Sequence, residues 1–181
     1  MFTRLLCLAL LGGLSAASVQ THAELRTYGG AHAAMLNFEV DHVAFRPWIT
    51  GIHGGFQMES GLGAELALAT GVAEDDKNNT ELSLNYAAQT YLTYSLSDDI
   101  PGARRGQLTL GGGYTFLDTN TQAGNVDFPG DQSWDGPALL IRYSEYLESY
   151  PKINLALSYE HFYLDEQLSV FQVKFGASYD F

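Results

Sequence analysis

The chain of 181 residues has almost no cysteine, few charged residues and no long apolar run. Its one cysteine, Cys7, lies inside an amino-terminal apolar segment, so the rest of the chain has no disulfide and no thiolate zinc site. The longest unbroken apolar run, Leu5–Leu11, is too short for a helix that spans a membrane. These absences exclude a disulfide scaffold and a helical membrane protein.

Basic residues are also scarce. Nine Lys and Arg stand against 21 Asp and Glu, which gives a formal net charge of −12. The phosphate backbone of a nucleic acid repels such an acidic chain unless a local basic patch compensates. Arg104 and Arg105 are the only adjacent basic pair in the sequence. We therefore expect no nucleic-acid partner.

The amino terminus has the pattern of a secretory signal peptide. Arg4 supplies a positive charge, Leu5–Leu14 an apolar core and Thr21–Ala23 a small-residue cleavage site. A second possible cleavage site follows Ala17. The sequence thus predicts a signal peptide over residues 1–23 and one domain over residues 24–181.

Glycine and aromatic residues are abundant and lie in alternating segments, which favours strands over helices. The last segment, Leu168–Phe181, alternates strictly between apolar and small or polar residues. Seven other segments are predicted strands: 28–38, 48–58, 62–71, 82–96, 107–117, 137–147 and 153–163. Alternation is blurred in the first of these, where Tyr28, His32, Leu36 and Phe38 share one parity, so a bulge or an inward-facing parity is expected there.

The large side chains are expected to face outward. Eight strands close around a narrow interior, which sets of Leu, Tyr and Phe would overfill but small and polar residues would fit. In the segment 82–96 this places Leu82, Leu84, Tyr86 and Tyr94 outside. An exterior so apolar requires lipid as its solvent, and an open sheet edge in lipid would leave backbone groups unpaired. The sequence therefore predicts an all-β fold, an eight-stranded antiparallel transmembrane barrel.

The carboxy-terminal sequence FGASYDF resembles the last strand of Gram-negative outer-membrane barrels. Phe181 ends the chain, and Tyr179, Ala177, Phe175 and Val173 precede it at alternate positions. In chain length and in the spacing of its predicted strands, the mature chain is similar to the small eight-stranded barrels of the OmpA-transmembrane, OmpX/Ail and opacity-protein type. The resemblance implies location in the cell outer membrane, insertion by the barrel-assembly machinery through this terminal signal, and lipid and lipopolysaccharide as surroundings. We expect a monomer.

Five charged residues are predicted to point into the lumen: Glu65, Arg142, Glu160, Lys174 and Asp180. Charges in a narrow interior of low dielectric constant must be paired. Arg142 and Glu160 lie on adjacent predicted strands, as do Glu160 and Lys174, so the main hypothesis is a structural ladder of ion pairs. A gated ion path is the alternative, and His53 is a possible further lumen residue.

The sequence contains no recognisable catalytic, metal or cofactor site. Ser158 and Glu160 would face inward while His161 faces outward, which separates the members of a possible hydrolase site. The acidic loops match no calcium-loop spacing. We therefore expect a protein that is not an enzyme, with a lipid-modifying enzyme as a weaker alternative.

The longest predicted loop, Gln122–Asp135, mixes apolar and charged residues, with Phe128, Asp131 and Trp134 as candidate recognition residues. Loops on a rigid scaffold are common sites of recognition. The predicted function is a non-enzymatic barrel that contributes to envelope integrity or surface interaction through such loops. A narrow pore for small solutes or ions is the alternative.

Overall fold

The computed structural model describes residues 25–40, 42–77, 80–97, 106–122, 133–164 and 168–181. The predicted signal peptide, with Cys7, lies outside them. No helix among these residues is long and apolar enough to cross a membrane.

The described residues form ten antiparallel strands. These are β1 (Leu25–Val40), β2 (Val43–Phe45), β3 (Trp48–Met58), β4 (Leu62–Ala73), β5 (Asp75–Lys77), β6 (Thr80–Ser97), β7 (Gly106–Gln122), β8 (Ser133–Leu147), β9 (Tyr150–Phe162) and β10 (Ser169–Asp180). Eight long strands pair in the order β10-β9-β8-β7-β6-β4-β3-β1, and β1 pairs with β10. This last pairing closes the sheet, so the predicted eight-stranded antiparallel barrel is confirmed.

The short strands β2 and β5 extend the barrel beyond the end that carries the long loops, which we call the loop end. Pro47 cannot donate a backbone hydrogen bond and separates β2 from β3, although its carbonyl accepts one from Leu36 N at 3.1 Å. Side chains connect the two short strands: Lys77 Nζ donates to the Ala44 carbonyl, and Asp75 accepts from Arg46 N at 2.7 Å. The opposite end, where both chain termini lie, is called the terminus end.

The exterior is apolar, as the alternation predicts. Leu92 is 75% exposed and Phe175 58% exposed. Other outward residues of the same band are Ile52, Leu66, Leu68, Leu110, Leu139, Ile141 and Leu157. Aromatic residues form a ring near each end: Trp48 and Tyr163 at the loop end, and Tyr94, Tyr179 and Phe181 at the terminus end. Such rings are typical of membrane barrels, where they lie at the two interfaces.

The blurred parity of β1 resolves as inward. His32, Leu36 and Phe38 are buried, and their strand pairs in continuous register with β3. In β1, therefore, inward and outward residues do alternate, but the large side chains lie on the inner face.

One facing prediction was wrong. The register of β6 against β7 shifts between Leu84 and Tyr86, and this irregularity reverses the parity of the strand. Leu82 and Leu84 are therefore buried inside, whereas Tyr86 and Tyr94 face outward as predicted.

The interior has two different halves, which corrects the expectation of a uniformly small and polar inner face. Polar and charged side chains fill the half at the terminus end. Large apolar side chains fill the half at the loop end, and we call them the apolar plug: Leu36, Phe38, Phe45, Ile49, Leu82, Leu84, Leu117, Trp134, Leu140, Phe162 and Val170. Much of this plug lies inside the barrel because of two features: the inward parity of β1 near the loop end, and the bulge in β6.

Candidate functional site

A two-point ion pair in the lumen joins β8 to β4. Arg142 Nη1 and Nη2 donate to the two carboxylate oxygens of Glu65 at 2.6 Å each, and its Nε donates to Ser158 Oγ at 3.2 Å. Tyr28 OH donates to the same carboxylate at 2.8 Å. The sequence predicts Glu160, on the adjacent strand, as the partner of Arg142. The structure instead pairs Arg142 across the lumen, with β6 and β7 between the two strands.

A second carboxylate, Glu160 on β9, is bound by three groups. Lys174 on β10 forms an ion pair with it, as the sequence predicts for these adjacent strands. Tyr91 OH donates to it from across the lumen at 2.9 Å, and Gln172 Nε2 donates at 2.6 Å. Because Glu160 and Lys174 are both buried, each compensates the charge of the other.

The sequence does not predict Tyr91 as a lumen residue, because aromatic side chains are expected on the exterior. Its position between Gln89 and Thr93 on alternate residues could have placed it inside. All three side chains are buried in the lumen.

The fifth predicted lumen residue, Asp180, lies at the terminus end. Arg26 Nε is 3.4 Å from its carboxylate, and Tyr146 OH donates to it at 3.0 Å. Gln57 accepts from Arg26 at 2.5 Å and from Gln107 at 3.1 Å. The structure thus places all five predicted residues inside, but connects them as separate clusters rather than as one ladder.

A cavity of about 40 Å³ lies among these terminus-end residues, with His53, Arg142 and Asp180 in its wall. Such a volume holds only a few water molecules. Toward the loop end, the Arg142–Glu65 contact and then the apolar plug fill the lumen.

Two histidines meet beside this cavity. His32 on β1 and His53 on β3 lie with their Nδ1 atoms 3.4 Å apart and their ring centroids 5.5 Å apart. His32 is 4% exposed, and its Nε2 has no hydrogen-bond partner. The sequence predicts His53 as a lumen residue, but the blurred alternation of β1 concealed its neighbour.

The geometry keeps the possible hydrolase residues apart. Ser158 accepts from Arg142 inside the barrel, whereas His161 lies on the outer face with its ring 4.6 Å from that of Tyr163. The predicted separation of these side chains is therefore present. It leaves no serine and histidine within hydrogen-bond reach at this position.

At the loop end, the predicted recognition residues have different positions. Trp134 lies on β8, is 7% exposed and packs inside against Phe38, with ring centroids 5.1 Å apart. It therefore belongs to the apolar plug and not to a loop surface. Phe128 and Asp131 lie outside the described residues.

Asp118 connects three strands beyond the outward aromatic pair Tyr86 and Phe116. Asn85 Nδ2 donates to its carboxylate at 2.7 Å, and Ser133 Oγ donates at 2.8 Å. These hydrogen bonds favour the charged form and lower the pKa of Asp118. Nearby, a side-chain hydrogen bond with Glu74 raises the pKa of Glu81.

Four residues of the predicted assembly signal, Val173, Phe175, Ala177 and Tyr179, lie on the outer face of β10, the strand that closes the barrel. The fifth, Phe181, follows the end of this strand and is exposed. The backbone N–H of Phe181 donates to the Thr27 carbonyl at 3.0 Å. Their position beside β1 and the lipid-facing surface is compatible with recognition during insertion, which stays a prediction.

No protein-family model and no curated protein sequence matches the chain. Solved structures do match. NspA, the Neisserial surface protein A, is 15% identical with a TM-score of 0.62, over 86% of this chain and 97% of NspA. Ail of Yersinia pestis, in complex with the heparin analogue sucrose octasulfate, is 13% identical with a TM-score of 0.61, over 87% of this chain and 99% of Ail. This chain has the fold of the small eight-stranded outer-membrane barrels.

The outer membrane protein OprG from Pseudomonas aeruginosa has the same barrel, at 12% identity and a TM-score of 0.57, over 91% of this chain and 99% of OprG. The predicted resemblance in fold is thus confirmed. An outer-membrane barrel also accounts for the apolar band and the two aromatic rings, which need a lipid bilayer around them. The outer membrane is therefore the location that the fold and the exterior indicate.

Proposed function

We propose that this barrel is a non-enzymatic outer-membrane protein that supports envelope integrity or surface interaction through its loop end. The observation that carries the proposal is the filled lumen. Ion pairs and hydrogen bonds cross the terminus half, and the apolar plug occupies the loop half. With the interior occupied by its own side chains, the surface for recognition is the loop end.

The filled lumen also argues against the narrow-pore alternative. An ion passing along the axis would have to displace the Arg142–Glu65 pair and then cross the plug, where Phe38, Phe45 and Leu82 are fully buried. Moving a charge through such an apolar region is costly. We therefore propose that the small cavity at the terminus end is a recess and not a channel.

Charge at the loop end narrows the class of partner. The described acids there are Glu39, Glu74, Asp75, Asp76, Glu81, Asp118 and Asp135. Two described Lys and Arg residues lie there: Lys77 forms an ion pair with Asp75, whereas the Arg46 guanidinium donates to Asn37 Oδ1. Ail was solved with a polyanionic heparin analogue, but this acidic loop end repels polyanions. We propose a partner surface that is neutral or cationic.

The proposal is tested by expressing the protein in a Gram-negative host and measuring adhesion of the cells to surfaces coated with heparin, with a neutral glycan or with a basic protein. A matched variant replaces residues 123–132 with a Gly-Ser segment of equal length. A control replaces residues 98–105, at the opposite end, in the same way.

We expect adhesion to the neutral or basic coating, lost in the 123–132 variant and kept in the 98–105 variant. Resistance of the cells to a bulky hydrophobic antibiotic reports the envelope role in the same strains. Equal adhesion and resistance with and without the protein, together with reproducible conductance steps in planar bilayers, would contradict the proposal and favour the pore.

A further inference from the structure

We propose that His32 and His53 form a binding site for a divalent transition-metal ion, such as Zn²⁺ or Cu²⁺, inside the lumen. The two imidazoles approach each other through their Nδ1 atoms at 3.4 Å beside the terminus-end cavity. Neither the proposed surface role nor the structural ion pairs of the lumen require this arrangement.

The distance between the two nitrogens suits a shared metal better than a hydrogen bond. Hydrogen bonds donated by N–H groups have donor–acceptor distances of about 2.7 to 3.2 Å, so 3.4 Å is long for one. Two metal–nitrogen bonds of about 2.0 to 2.1 Å at a near-tetrahedral angle separate the nitrogens by about 3.4 Å. The ring centroids are 5.5 Å apart, so the Nδ1 edges of the two rings face each other.

Neighbouring glycines leave room for the two rings. A Cβ at Gly51 would lie 2.8 Å from His32 Cε1. A Cβ at Gly176 would lie 3.2 Å from His32 Cβ and 3.5 Å from His53 Cε1. The rings are thus held in a recess that the backbones of β3 and β10 form, which limits their rotation and prepares the two nitrogens for one ligand.

The surrounding charges do not oppose a cation. Arg142 and Lys174 both interact electrostatically with His53, but Glu65 compensates the first and Glu160 the second. The local formal charge of these four groups is zero. Imidazole is a preferred ligand of Zn²⁺ and Cu²⁺, so the side chains of His32 and His53 can bind such an ion.

Water would complete the coordination. Among the described residues, no group of three or more His, Cys, Asp and Glu side chains could hold a metal, so the proposed site has two protein ligands. His53 lines the cavity of about 40 Å³, which can hold water. Arg26, at the terminus end of the same cavity, has a side chain that is 38% exposed, so an ion would enter from that end.

The test uses the untagged protein purified from outer membranes, folded in detergent and freed of metal with a chelator. One equivalent of Cu²⁺ is added, and electron paramagnetic resonance counts the coordinating nitrogens. We expect hyperfine splitting from two imidazole nitrogens. Competition with Zn²⁺ then gives the affinity for the second ion.

The variants His32→Gln and His53→Gln should each weaken binding at least about tenfold and remove one nitrogen from the spectrum. His161→Gln, on the outer face, is the matched control and should leave both unchanged. The shift in gel mobility on boiling establishes that each variant is folded. Absence of binding, or binding that is equal in the wild type and both lumen variants, would overturn the proposal without affecting the proposed surface role.

Discussion

Arg142 and Glu65 lie on strands that are not neighbours, yet their side chains form a two-point ion pair across the lumen, with both N–O distances at 2.6 Å. The pair therefore connects opposite walls of the barrel. The hydrogen bond from Tyr91 to Glu160 is a second, separate contact across the lumen.

Removing one partner of this pair should strongly destabilise the barrel. Arg142→Met leaves Glu65 buried and uncompensated, and we expect the free energy of unfolding to fall by about 3 to 5 kcal/mol. The double variant Arg142→Met with Glu65→Leu removes both charges and should lose less than the single variant. Urea-induced unfolding in lipid vesicles measures both.

The matched control for that series is Glu148→Gln, at the exposed turn between β8 and β9. Its stability should stay within about 0.5 kcal/mol of the wild type. An Arg142→Met variant as stable as this control would show that the cross-lumen pair contributes nothing.

The outward position of Phe175 leads to a second expectation. Its ring is 58% exposed in the middle of the apolar band, so Phe175→Arg would place a charge in lipid. We expect a loss of about 2 to 4 kcal/mol near the bilayer midplane, measured by reversible folding into vesicles. Leu62→Arg, beside the turn at the terminus end, should cost far less, and equal losses for the two variants would contradict the assigned depth.

The assembly signal can be separated from stability. Phe181 follows the end of β10 and is 76% exposed, and its ring contacts that of Tyr179, with ring centroids 5.6 Å apart. Phe181→Ala should therefore change folding into vesicles little, yet reduce the amount inserted in cells if the terminal aromatic residue is read by the assembly machinery. Parallel losses in both measurements would assign Phe181 to stability alone.

The stability contributed by Asp118 at the loop end should depend on pH. Hydrogen bonds from Asn85 and Ser133 lower its pKa in the folded state, so the folded protein binds this proton less readily than the unfolded chain. The stabilisation is present above the ordinary Asp pKa of about 3.9 and is lost as pH falls through the lowered folded value. Asp118→Asn should therefore lower the urea midpoint of unfolding at neutral pH. The difference in midpoint between this variant and the wild type should narrow as the pH falls below the ordinary Asp pKa of about 3.9. A difference independent of pH would contradict the contribution of this carboxylate.

The exterior could be predicted from the sequence because facing depends on local alternation. Phe175, Leu110 and Leu157 each lie on strands of regular period two, and all are outward. Closure followed from the cost of open edges in lipid, without knowledge of any contact.

The partners inside the lumen could not be predicted in the same way. Which side chain meets Arg142 depends on the stagger of the closed barrel, and that stagger brings Glu65 closer than the neighbouring Glu160. The bulge that turns Leu84 inward leaves no signal in a pattern of alternating leucines. The His32–His53 contact depends on the register of β1 against β3, where the apolar pattern is weakest.

The central claim, a closed barrel with a lipid-facing apolar exterior, is tested most directly by heat modifiability. The protein is folded in detergent, and the mobility of boiled and unboiled samples is compared on a denaturing gel. The structure leads us to expect a compact, faster unboiled band that shifts on boiling. A protein that stays soluble without detergent and shows no shift would contradict the account, because its apolar faces would then have to pack inward.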